Sequence, residues 1–589
     1  MIMMTRTIGI STPRAPRPTP RWPVCNGCWC DRRRSAKIRP MAKLSPIAFL
    51  ALAVLVCSGA HAAATACKLP ELDRPARCGV VSVPEDPNRP HGRQLAIHYA
   101  VVPASAGSPH PDPIAVLMGG PGEDAISAAA YYTNEFQRLL NDRDLLLVDS
   151  RLTGQSAPAH CHLYSAETAA DNLRDFFPPA AVERCRRLLS RSADLTRYIY
   201  PYLSNDLERV RVALGYAQLN LFAGSYGTRA AQAFVRQYPK SVRTVYLGSP
   251  VPIDSGGPMD FARTEQDALD KTFSRCESDP DCHRAFPNVR KEFADVLARL
   301  DSGAVQVPVP DTTQTVRLTR GRFVEWVRSR LYRPKEAVAL PWIIHRAYEG
   351  DWAPTVQGIL DSVRGADESI SWGLFFSITC TEDLPFLSEA DIAANIKGTA
   401  LGDYRIRQQQ AACQKWPRAT LPEGYRNPVH SDIPTLLVTG DQDGGSPLWF
   451  TDRVAPGFTN HVTVIVHGQG HTEWNDCVAG LFEKLVRSGT VQGLDGNSCP
   501  AVKIPAFKLQ PFEATDAPLT RYSAPGISRP TVRTEPLRAT PIASAPSAKI
   551  PDRRCRLCDG PGRGGDPSMR GHGRSYTTCF GCLSFFLAP

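Results

Sequence analysis

Ser225 stands in the segment LNLFAGSYGTRAAQAFVRQYP, residues 219–239. Before it, Leu219, Asn220, Leu221 and Phe222 make an apolar run of strand length. After it, Ala230, Ala231, Phe234, Val235 and Tyr238 recur at helical spacing. A serine between a buried strand and such a helix sits on a strained turn that exposes its hydroxyl, as a nucleophile requires. The turn needs small residues two before and two after the serine, and Ala223 and Gly227 occupy those positions. Taken alone, AGSYG reads as a serine in a glycine-rich turn. A catalytic reading requires a base, an acid to orient it and donors for an oxyanion.

Each of these has a candidate at the end of a strand-like run. The acid is Asp443 in GDQDGGSP, just past the run that ends at Gly440. The base is His471 in HGQGH, preceded by Gly468 and Gly470 and 28 residues after Asp443. Asp441 and His467 are the rival acid and base, each closer to the end of its run. The oxyanion donors are the backbone N–H groups of Tyr226 and of Gly120, the latter in Gly119-Gly120-Pro121-Gly122 directly after PIAVLM. Glycines there let the backbone approach a substrate, and the proline stiffens the turn.

These residues need a frame that brings distant strand ends together. QLAIHYAVV (94–102), PIAVLM (113–118), DLLLV (144–148), the run before Ser225 and residues 243–247 read as strands alternating with helical patterns. That alternation marks a parallel α/β sheet. Residues 204–214 read as a helix, with Asn205 and Glu208 as a capping box and Gly215 as its end. From about Asp254 the pattern becomes helical without strands, and strand character returns at 433–440 and 461–466. A helical insertion of this kind is expected to cover the carboxyl ends of the strands, where sites in open α/β sheets lie. No internal repeat is visible.

In this order, GGPG, DSRLTGQS (149–156), AGSYGT, GDQDGGSP and GQGH resemble the prolyl and tripeptidyl aminopeptidase group of α/β-hydrolase serine peptidases. The resemblance covers roughly residues 67–505 and extends to a tripeptidyl aminopeptidase-like C-terminal region. It departs from that group at Met118, where a histidine is usual, at Ala223, where glycine is usual, and at Ser150 and Leu152. It implies an α/β-hydrolase fold with a mostly parallel central sheet and an inserted helical cap. It also implies a serine peptidase that acts on peptide N-termini through an acyl-enzyme, with Ser225, Asp443 and His471 as the triad. An esterase with the same triad is the alternative, and a non-catalytic binding protein of this fold is a third reading. A free N-terminus is an ammonium, and a covered pocket needs a carboxylate to meet it. Glu382 and Asp383, beside Cys380 in the cap, are the expected anchor; a solvent-facing acidic pair is the plainer reading. No cofactor and no metal are expected.

Composition and the ends of the chain set the compartment. The 589 residues carry net charge +10. Residues 1–40 hold nine Lys/Arg against one Asp, and residues 509–589 hold eleven against six acids. The body between is therefore mildly acidic, and nothing here argues for nucleic acid. MAKLSPIAFLALAVLVCSGAHA, from Met41, reads as a signal peptide cleaved after about Ala62, so an exported protein, periplasmic or extracellular, is expected. Its apolar stretch is too short to span a bilayer comfortably, so no stable membrane insertion is expected. Residues 1–40 read as a non-native extension, with Arg32-Arg33-Arg34 as a twin-arginine signal the alternative. Residues 63–253 and 431–508 are read as the two parts of the core, 254–430 as the cap and 509–589 as a disordered Pro/Arg-rich tail. The tail's Cys555/Cys558 and Cys579/Cys582 pairs have zinc-ribbon spacing but little between them to pack, and read as incidental. Ten cysteines lie in the body. In an oxidising compartment their order suggests the pairs 67–78, 161–185, 276–282, 380–413 and 477–499, against the alternative of buried free thiols.

Overall fold

The computed structural model describes residues 64–157, 159–255 and 257–510. The extension at 1–40, the signal peptide at 41–62, the tail beyond residue 510 and both CxxC pairs lie outside the described residues.

Strands β1 (Thr65–Cys67), β2 (Ala76–Pro84), β3 (Gln94–Val102), β4 (Ile114–Leu117), β5 (Leu145–Val148), β6 (Leu219–Gly224) and β7 (Val242–Gly248) precede the helical region. Within that region β8 (Gln306–Pro308) and β9 (Thr315–Arg317) form a separate hairpin. After it come β10 (Thr435–Gly440) and β11 (His461–Val466). The main sheet has nine strands in the order β1-β2-β3-β5-β4-β6-β7-β10-β11. From β5 to β11 all pairings are parallel, while β1, β2 and β3 add antiparallel pairings at one edge. Runs such as LLLV and TLLVTG are buried almost throughout because helices cover both faces of a parallel sheet. The side chains of β6 divide between the faces. Leu219, Leu221 and Ala223 join one core, and Phe222 joins the other with Tyr246, Phe136 and Phe482.

Register levels the carboxyl ends of the strands. Leu117 lies opposite Ala223, Gly224 opposite Gly248, Gly248 opposite Val438, and Gly440 opposite Val466. The loops carrying Gly120, Ser225, Asp443 and His471 therefore leave the sheet along one edge.

Helix α1 (Tyr200–Ala213) begins four residues before the expected start, with Pro201 in its first turn. Asn205 and Glu208 thus lie inside the helix and do not cap it. The Asn205 side chain accepts from the Tyr238 hydroxyl, and Glu208 pairs with Arg211. Gly215 follows in the left-handed conformation, as its position predicts. Helix α2 (Gly227–Gln237) follows Ser225 directly.

Between β7 and β10 run α3 (Phe261–Ser278), α4 (Val289–Asp301), α5 (Arg320–Arg330), α6 (Leu340–Glu349), α7 (Ala353–Ser369), α8 (Trp372–Ile378) and α9 (Tyr404–Cys413). They bury a core of their own around Phe273, Phe293, Phe323, Trp342 and Ile359. The β8–β9 hairpin corrects the expectation of a strandless region. Val305, Val307 and Val309 alternate at period two and are buried with Val316 and Leu318. Helix α10 (Asp476–Ser488) packs on the sheet after β11.

All ten described cysteines are paired, in the five neighbour pairs anticipated from their order. Among the described residues no helix is long and apolar enough to cross a membrane, and no cluster of His, Cys, Asp and Glu could hold a metal ion.

Candidate active site

Ser225 and Tyr226 form the turn between β6 and α2, and Ser225 adopts φ of +52°. That left-handed conformation is strained for a residue with a β-carbon, and local bonds hold it. The Ser225 N–H donates to the Gly248 carbonyl at 2.9 Å, and its own carbonyl accepts from the Thr228 N–H at 2.9 Å and hydroxyl at 2.6 Å. A β-carbon on Gly227 would stand 2.4 Å from the Leu117 carbonyl, so only glycine lets α2 pass this close to β4. Ala223, the departure from the usual glycine, is fully buried among apolar neighbours.

His471 Nε2 lies 2.7 Å from Ser225 Oγ. Its Nδ1 faces both Asp443 oxygens, at 2.9 and 3.0 Å. Asp443 Oδ1 also accepts from the Gly445 and Ser446 N–H groups at 2.8 and 2.7 Å, which fixes the carboxylate. Asp443 and His471 are 5% and 6% exposed, so their interaction is shielded from water. The His471 N–H donates to the Tyr332 carbonyl at 2.7 Å, and the Tyr332 ring stands edge-on to the imidazole. The rival residues meet each other instead. His467 Nδ1 lies 3.0 Å from Asp441 at the surface, with side chains 69% and 32% exposed. Against the opposing effect of burial, the histidine and the Gly468 N–H hold the Asp441 carboxyl below its ordinary range.

Gly120 and Tyr226 line the same cavity as Ser225 and His471. Among the described residues neither backbone N–H is engaged by another group. The loop is supported from behind by the DSRLTGQS segment. Asp149 accepts from the Ala125, Ile126 and Gln155 N–H groups at 3.1, 3.0 and 2.9 Å, although burial pushes its carboxyl up to about 6. Arg151, fully buried, forks onto Asp206 at 2.7 and 2.8 Å and donates to the Glu85 and Arg197 carbonyls. The cavity holds about 170 Å³. Phe261, Tyr332 and Glu336, from the helical region, form part of its wall.

Glu382 and Asp383 require a correction. Both are completely buried and already paired, so neither is free to receive a substrate ammonium. Arg229, in the first turn of α2, donates to Asp383 at 2.6 Å and lies 3.6 Å from Glu382. Asp383 also accepts from the Tyr226 hydroxyl, and Glu382 accepts from the Tyr200 N–H and the Tyr425 hydroxyl at 2.9 and 2.7 Å. Burial pushes the Glu382 carboxyl up to about 7 against the pull of Arg229. The Cys380–Cys413 disulfide pins the segment as expected, but what it presents is a clamp on the helix that follows Ser225. Arg229 has no signature in the sequence, since an arginine at the start of an amphipathic helix reads as surface. Glu123, next after the glycine loop, lines the cavity beside Ser225; the signal that marks it is a carboxylate directly following glycines.

Comparison with known proteins bears on the same segments. The family described as alpha/beta hydrolase fold matches residues 112–276, and that described as TAP-like protein matches residues 398–499. The chain is 26% identical over 222 residues to the putative hydrolase YuaR of Escherichia coli, covering 35% of this chain and 43% of that protein. It is 29% identical over 229 residues to serine protease Hip1 of Mycobacterium tuberculosis, covering 35% and 42%. It is 25% identical over 409 residues to tripeptidyl aminopeptidase of Streptomyces lividans, covering 64% and 74%. The chain thus spans less than half the length of the first two relatives.

Proposed function

We propose that this chain, an α/β-hydrolase with a TAP-like C-terminal region, is an exported serine aminopeptidase that cleaves peptides from their free N-termini through an acyl-enzyme. The observation that carries the reading is the line from Ser225 Oγ through His471 to Asp443, in a cavity partly walled by helices. In this reading Ser225 Oγ attacks the scissile carbonyl carbon while His471 Nε2 takes its proton. Asp443 keeps the imidazole turned toward the serine and offsets the charge it gains. The carbonyl oxygen becomes an oxyanion between the Gly120 and Tyr226 N–H groups. His471 then protonates the leaving amine, and a water molecule deacylates Ser225 by the same steps. The likeness to tripeptidyl aminopeptidase and Hip1 favours an amide substrate. Five disulfides and the signal-like segment at 41–62 favour export.

The purified protein should be labelled at Ser225 by a fluorophosphonate and should release p-nitroaniline from aminoacyl or peptidyl anilides with a free amine. Labelling with turnover of esters only would replace the peptidase by an esterase, and no labelling at all would make the chain a binding protein.

A further inference from the structure

Glu123 is 8% exposed and lines the cavity that holds Ser225 and His471. Its Oε1 atom is buried and has no hydrogen-bond partner among the described residues. A buried carboxylate oxygen without a donor is costly, and it persists where a ligand supplies the partner. A β-carbon placed on Gly119 would stand 3.5 Å from the Ser225 β-carbon and 3.7 Å from Glu123 Oε2. Carboxylate and nucleophile therefore border the same small space. The other charges of the wall answer one another. Glu336 lies 3.7 Å from Arg330 and 3.5 Å from Arg333, and Arg333 Nε donates to the His471 carbonyl at 3.4 Å.

We infer that Glu123 receives the α-ammonium of the substrate, and that the enzyme therefore removes one residue per cleavage. The inference rests on the aminopeptidase reading above. When one residue lies on the acyl side, its ammonium nitrogen is two bonds from the carbonyl carbon that Ser225 attacks. Each further residue carries the ammonium ~3.3–3.6 Å away, so a tripeptidyl substrate would place it about 7 Å beyond this carboxylate. Burial holds the Glu123 carboxyl up at about 8, with Asp124 adding to the rise and Arg333 opposing it. An arriving ammonium supplies the counter-charge, and the carboxyl releases its proton to solvent as the pair forms.

The test compares alanyl- and leucyl-p-nitroanilide, free and N-acetylated, with Ala-Ala-Ala-p-nitroanilide on wild type, Glu123→Gln and Glu123→Asp. The ratio of kcat/KM for free over acetylated substrate should fall about 100-fold in Glu123→Gln, as for loss of one partner of a buried charge pair. It should fall less in Glu123→Asp, which keeps the charge but shortens the reach. Independently of any variant, mass spectrometry of wild type acting on a free tetrapeptide amide should find a single amino acid as the first product. A first product of three residues, or free and acetylated substrates impaired alike in Glu123→Gln, overturns the inference. Fluorophosphonate labelling of wild-type Ser225 separates the two levels. Labelled enzyme with an unchanged ratio sinks the role of Glu123 alone, while unlabelled and inactive wild type sinks the hydrolase reading with it.

Discussion

At the scale of the residue, three side chains are expected to act as one unit. Ser225→Ala and His471→Ala should each lower anilide hydrolysis by about 10⁴- to 10⁶-fold with the circular dichroism spectrum unchanged. Asp441→Asn should leave turnover within a few-fold of wild type, because its partner is the exposed His467. That His471 meets Asp443 and not Asp441 was readable from distance to the strand end. What that distance could not reveal is that the rivals satisfy each other at the surface. Glu123 adds a pH prediction. Its carboxyl is raised from about 4.5 to about 8 by burial, with Asp124, Arg333 and the Tyr132 phenol facing it. The folded state thus holds a proton that the unfolded chain gives up. This contribution to stability is complete below about 4.5 and is lost as pH rises through about 8, at ~1.4 kcal/mol per unit at most. Thermal melts of wild type from pH 5 to 9 should therefore fall more steeply than those of Glu123→Gln.

At the scale of the element, the β6–α2 turn was legible because a tight strand-to-helix turn restricts residue size on both sides. Gly227→Ala would press a β-carbon against the Leu117 and Met118 carbonyls, which lead into the Gly119–Gly122 loop. It should cost about 1–3 kcal/mol in denaturant unfolding and also slow turnover. The start of α1 was misread because Asn205 and Glu208 have the spacing of a cap, while Pro201 already opens the helix upstream. Least legible was the clamp joining α2 to residues 379–383. Which acid meets which arginine across more than 150 residues is a property of packing, and no local pattern encodes it. Asp383→Asn should lower stability by about 3–5 kcal/mol, since it leaves Arg229 buried with one partner fewer. As the residue belongs to a clamp, free and acetylated substrates should lose activity alike; a loss confined to the free amine would restore Asp383 as an anchor.

At the scale of the whole molecule, the parallel sheet could be read from alternating strand and helix patterns, whereas the β8–β9 hairpin was hidden in a region dominated by amphipathic helices. The sheet, both of its cores and all five disulfides fall within residues 64–510. A chain trimmed to residues 63–509 should accordingly fold and keep its activity, as melting and anilide turnover would report. Non-reducing peptide maps should find Cys477 joined to Cys499, and replacing both by serine should cost about 3 kcal/mol. Among the described residues the five bridges span 11, 24, 6, 33 and 22 positions, and none encloses or crosses another. For a polypeptide threaded out of the cell amino end first, each odd cysteine would meet its own mate as the next thiol to emerge. Such a chain can be oxidised in the order in which it appears, with no earlier bond to undo.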